Sequence, residues 1–181
     1  MALLIKNTNV PRAAGVTGTG YAAVRQWIHI ARAAAVLPAS TTEWFFQVQG
    51  GRVALGLLLG ESTVVLTSTD PGLSFNSTKL NAAGTATVGT TTVLATTVNL
   101  ASLEVGGLAV SQNAGTALVK ANAGGYVNLA ISDSFAVVPN GEIYATTTGT
   151  NTTGQMKWDL WYMPLDEGAF VTAKNSGTAI I

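Results

Sequence analysis

The sequence predicts an all-β protein: a single-domain β-sandwich or jelly-roll-like barrel with an extended N-terminal arm. Three observations lead there. Apolar and polar residues alternate with period two in several short segments, as half-buried strands require. Turn signals such as Asp70-Pro71-Gly72 and Pro139-Asn140-Gly141 separate such segments, roughly every ten residues, the spacing expected of a sandwich or barrel. The chain has 181 residues, enough for one domain with a proper core and hardly two.

In chain order, residues 1–28 read as the arm, 29–174 as the sandwich and 175–181 as a C-terminal tail. The arm opens on apolar Leu3, Leu4 and Ile5 and then turns Gly-rich at Gly15, Gly18 and Gly20. It has too few periodic apolar positions to fold alone. Residues 22–37 fit two descriptions. Val24, Trp27, Ile28 and Ala31 sit at helical spacing, with Arg25, His29 and Arg32 on another face. Yet the run leads straight to Pro38 and a Thr-rich turn. The strand description, from about Ile30 to Leu37, is the one adopted.

Trp44 to Glu61 reads as a β-hairpin. Trp44, Phe46 and Val48 alternate with Phe45, Gln47 and Gln49; Val53, Leu55, Leu57 and Leu59 alternate with Arg52, Ala54, Gly56 and Leu58. Gly50-Gly51 between them permits the positive φ of a primed hairpin turn. Further strands are expected at Ser62–Thr69, Thr90–Leu100, Thr116–Ala121, Ser134–Pro139, Glu142–Thr148 and Gln155–Pro164. The last alternates cleanly, with Met156, Trp158, Leu160 and Tyr162 on one face and Lys157, Asp159 and Trp161 on the other. The predicted core is therefore Trp44, Phe46, Val48, Val53, Leu55, Leu57, Met156, Trp158, Leu160 and Tyr162.

Charged residues are only 10% of the chain, with nine basic and nine acidic side chains and a net charge of +0. Soluble domains typically carry about 25%. A surface so poor in charge suits a protein packed against copies of itself or a partner. Nucleic acid is not an expected partner, because phosphate binding needs clustered Lys and Arg and these are scattered. No cysteine is present, which leaves no disulfide framework and no thiolate metal site. The first residues lack a basic stretch followed by a long apolar run, so no secretory signal is expected. No apolar run reaches the length of a membrane helix, so no membrane partner is expected.

Chemistry is sparse. His29 is the single histidine, and no serine sits in a nucleophile elbow. Only Asp166 and Glu167 are adjacent acids, and Pro164 to Gly168 looks like a loop rather than a metal site. Gly15 to Gly20 has the wrong order for a dinucleotide fingerprint. Asn76-Ser77-Thr78 and Asn151-Thr152-Thr153 match the glycosylation acceptor, but read as polar loops. Trp158, Trp161 and Tyr162 could form a sugar platform, though strand spacing favours core plus one interface aromatic. No catalytic residue, cofactor or metal is expected. The candidate interface is apolar: Leu3, Leu4, Ile5, Trp27, Trp161, Ile180 and Ile181.

Two stretches carry a resemblance. Ala31 to Thr63 resembles the start, and Thr150 to Ala173 the end, of a family of small virion proteins of tailed bacteriophages. The shared features are strand, Gly50-Gly51, strand, Gly60-Glu61; the strand after Pro139-Asn140-Gly141; and the run from Gly154 through Lys157-Trp158 to Pro164-Leu165-Asp166-Glu167-Gly168. The likeness spans roughly Ile30 to Lys174, loosely in the middle, and residues 1–28 depart from it. The resemblance implies a capsid cement (decoration) protein on the virion surface, made in the host cytoplasm. Its implied partners are the major capsid protein and copies of itself, as dimer or trimer. Alternatives are a head-fibre base, a tail protein, or a carbohydrate-binding module using Trp161 and Tyr162.

Overall fold

A computed structural model describes residues 27–37, 40, 42–66, 72–79 (backbone alone), 92–111, 115–125, 135–149 and 153–174. The arm residues before Trp27, the tail and the Gly15–Gly20 and Asn151 motifs lie outside these. Among the described residues there are strands and no helix. In chain order they are β1 (Ile28–Val36), β2 (Thr42–Gln49), β3 (Val53–Val64), β4 (Gly72–Lys79), β5 (Thr92–Thr96) and β6 (Leu108–Ser111). Then come β7 (Thr116–Ala117), β8 (Val119–Ala121), β9 (Ala136–Val138), β10 (Gly141–Thr148), β11 (Gln155–Pro164) and β12 (Phe170–Ala173).

The strands form two sheets, as an all-β sandwich requires. The first has the order β1-β11-β3-β6-β8, with β9 also paired to β3. The second has the order β12-β2-β10-β4-β5-β7. All pairings are antiparallel except β5 with β7. Phe46, Val48, Val53, Met156, Trp158, Leu160 and Tyr162 are buried between the sheets, as the alternation predicts. The strand adopted for residues 30–37 is present as β1, beginning two residues earlier.

Three expectations need correction. Gly50-Gly51 does not close a hairpin: β2 lies in the second sheet and β3 in the first, so the glycines form an arch between layers. A hairpin and an arch share one local pattern, because each joins two alternating strands through residues of positive φ. What separates them is where the backbone groups pair, and β2 pairs β10 and β12 whereas β3 pairs β11, β6 and β9. Second, the inward face of two strands changes phase. Opposite Ile143 and Tyr144, β2 slips a residue at Phe45, so Phe45 and Phe46 are both buried while Trp44 is half-buried. In β3 the slip lies between Leu55 and Leu58: Leu58 is buried and Leu57 only half-buried. A β-bulge opposes two residues to one and so reverses the alternation beyond it. Leu58→Ala therefore carries the cost of about 2–5 kcal/mol for a buried leucine. Leu57→Ala costs less, and chemical denaturation of the two variants checks the assignment. Third, Asn76-Ser77-Thr78 belongs to β4 rather than to a loop.

The boundaries also shift. Ser62 and Thr63 continue β3 instead of opening a new strand. Thr116–Ala121 divides at buried Leu118 into β7 and β8.

Three arches meet at one end of the sandwich: β2 to β3, β9 to β10 and β11 to β12 all cross between sheets there. The Gly51 N–H donates to Asn140 Oδ1 at 2.7 Å, joining the first to the second. The Arg52 N–H donates to Asp166 Oδ2 at 2.7 Å, joining the first to the third. The Arg52 guanidinium adds 2.9 and 2.7 Å bonds to the same carboxylate, and this holds its pKa above the ordinary arginine value. Gly50 has φ +74°, and a Cβ there would lie 2.1 Å from the Gly168 carbonyl oxygen. Asp166 thus belongs to a structural loop, as its sequence context suggested. Gly50→Ala is expected to destabilise by at least the roughly 1–3 kcal/mol of a left-handed non-glycine residue. Asn140→Ala should cost about 1 kcal/mol by stranding the Gly51 donor. Urea denaturation reads both.

Candidate functional site: the outer face of the first sheet

The outward side chains of β1, β11 and β3 follow from register. On β11, Trp158, Leu160 and Tyr162 point inward, which turns Lys157, Asp159, Trp161 and Met163 outward. His29 on β1 pairs with Trp161, and their rings lie 4.6 Å apart. His29 Nε2 is 2.7 Å from Asp159 Oδ1. Across β11, the slip in β3 leaves Gly56 beside Trp161. Trp27 lies flat on Gly56: a Cβ there would come within 2.6 Å of the indole. The absent side chain is what lets the ring lie down. Phe135, just before β9, meets Trp27 edge-on at 5.0 Å between centroids. Four rings therefore form one band across β1, β11, β3 and β9. Trp27 is 40% exposed, Phe135 44% and neighbouring Val137 57%.

Next to this band lies a charged row. Lys157 Nζ is 2.7 Å from Glu61 Oε2. That hydrogen bond, with the nearby Asp159 charge, raises the Lys157 pKa. A cation with a raised folded pKa stabilises fully below its unfolded pKa and loses that contribution as pH climbs through the folded value. The lysine's charge is therefore kept until strong alkali. Beyond it, Val36 and Val64 flank Gln155 from the two neighbouring strands, 42% and 39% exposed.

A second charged group lies between the sheets. Arg32 is 1% exposed, with Nη2 3.3 Å from Glu43 Oε1 and the guanidinium 4.1 Å above the Phe45 ring. Burial lowers its pKa, and Glu43 opposes that. Lys174 Nζ shares the same Glu43 oxygen at 3.3 Å. Arg32 Nε and Nη1 meet no acceptor among the described residues.

Of the seven candidate interface residues, Trp27 and Trp161 fall on one face. Leu3, Leu4, Ile5, Ile180 and Ile181 lie outside the described residues. His29 occupies the edge strand β1. Trp161 and Tyr162 cannot share a ligand, because Tyr162 is buried between the sheets and Trp161 faces outward. Phe135, Gly56 and Asp159 were missed; only the pairing register brings them to Trp27 and His29. No group of three or more His, Cys, Asp or Glu able to hold a metal occurs among the described residues. Comparison with protein-family models, curated proteins and solved structures found no match.

Proposed function

We propose that this chain is a structural virion protein of a tailed bacteriophage that binds the outside of the capsid and stabilises it. The observation that carries the reading is where the resembling segments sit. Ala31–Thr63 and Thr150–Ala173 are far apart in sequence, yet they supply β1, β3 and β11 of one sheet and β2 and β12 of the other. The turn motifs of the resemblance, Gly50-Gly51, Pro139-Asn140-Gly141 and Pro164 to Gly168, are the three arches stitched together by Asn140, Arg52 and Asp166. Residues that coincide in the resemblance thus act as one structural unit. The low charge leaves a surface suited to close contact with neighbouring proteins.

The ends of the chain are the proposed reach onto neighbours. Burying an apolar tip such as Leu3-Leu4-Ile5 returns roughly 1.5–3 kcal/mol per large side chain before the cost of ordering. Repetition among linked copies multiplies that small gain through effective concentration. Deleting residues 1–20 is expected to leave the sandwich folded and to lower its occupancy in direct competition with the full chain for bare heads. Equal occupancy removes the arm from the account, and no binding by either chain removes the capsid.

A further inference from the structure

We infer that the outer face of the first sheet pairs with the same face of a second copy, forming a two-fold dimer. The argument rests on the order of rows along β11. Trp158 stands midway between Trp161 and Gln155, and equally between Asp159 and Lys157. At the level of Trp161 lies the aromatic band, with His29 on β1 and Gly56 on β3. At the level of Gln155 lies the valine row, Val36 on β1 and Val64 on β3. A two-fold axis lying in the interface, across the strands at the level of Trp158, exchanges these rows. It sets the rings of one copy on the exposed valines of the other. It also sets Lys157 opposite Asp159 of the second copy, twice over. Lys157 and Asp159 keep their in-chain partners Glu61 and His29, so the crossed approach extends existing polar contacts; the face is self-complementary in the order of its rows, as an isologous contact must be.

Size and chemistry agree. Strands spaced ~4.8 Å apart with a rise of ~3.3 Å per residue give β1, β11, β3 and the short β6 and β9 a combined face of roughly 600 Å². Specific interfaces begin at about that area per partner. Aromatic residues are enriched at interfaces; here Trp27, Trp161 and Phe135 lie at one end of the face, and the axis sets them over the opposite end of the second copy. Aligned sheet packing brings two such faces together without altering either sandwich. This inference does not rest on the capsid reading, since it concerns the isolated chain.

Sedimentation velocity of the full chain tests it. A dimer with micromolar Kd is expected. Trp161→Lys and Val64→Lys, at opposite ends of the face, should each give a monomer with an unchanged circular dichroism spectrum. Lys157→Asp and Asp159→Lys should each weaken the dimer by about tenfold or more, and the double reversal should regain most of the loss. A wild-type monomer at every concentration reached overturns the inference. So does any oligomer, dimer or trimer, that survives both Trp161→Lys and Val64→Lys, or a double reversal no better than the single ones.

Discussion

Trp158→Ala is expected to lower the stability of the fold by about 3–5 kcal/mol, as truncation of a fully buried tryptophan does. Trp158 is 0% exposed, and its ring lies against Gly60, where a Cβ would sit 2.5 Å away. Phe45 lies 5.9 Å from it between ring centroids. Strand, bare glycine and indole interlock here, so the cavity left by alanine cannot close by a small shift. Whole domains are stable by only about 5–15 kcal/mol; the variant therefore approaches the limit of folding. Trp161→Ala is the matched control. It removes the same side chain from the same strand on the opposite face, and it should cost far less. Urea denaturation of both variants reads the difference, and equal losses would contradict the assigned orientation of β11.

Glu43→Ala should cost about 3–5 kcal/mol, because it leaves a buried guanidinium without its counter-charge. Arg32→Met should be neutral or should stabilise by about 1–4 kcal/mol, because it removes the desolvated cation and keeps the volume above Phe45. The double variant should recover most of the loss of Glu43→Ala. The contrast arises because Arg32 meets Glu43 through one long contact of 3.3 Å while Nε and Nη1 meet no acceptor among the described residues. Melting curves at neutral pH measure all three. A large loss in Arg32→Met would mean that the guanidinium contributes more by its bonds than its burial costs.

Much of the fold was legible because period two is a local signal. The inward face of β11 needed only the alternation of Met156, Trp158, Leu160 and Tyr162, and all four are buried. The signal fails where the backbone slips. Phe45 and Leu58 are buried because bulges in β2 and β3 reverse the parity, and a bulge depends on the partner strand rather than on its own residues. The sheet to which a strand belongs is equally non-local, which is why the Gly50-Gly51 arch reads as a hairpin. Of the outer face, Trp161 was legible as an outward aromatic on β11. Trp27 could be named as an exposed candidate, but not placed, since its seat on Gly56 depends on β1, β11 and β3 lying side by side. Arg32 reads as a polar residue on an ambiguous segment, and its burial follows only from the stacking of two sheets.

The most direct measurement is the copy number of this chain in purified virions, by quantitative mass spectrometry against the major capsid protein. A capsid-stabilising protein repeated over the lattice is expected on the order of hundreds of copies per particle, in a fixed ratio to the capsid subunit and lost from heads stripped of surface proteins. A handful of copies, or none, would contradict that role.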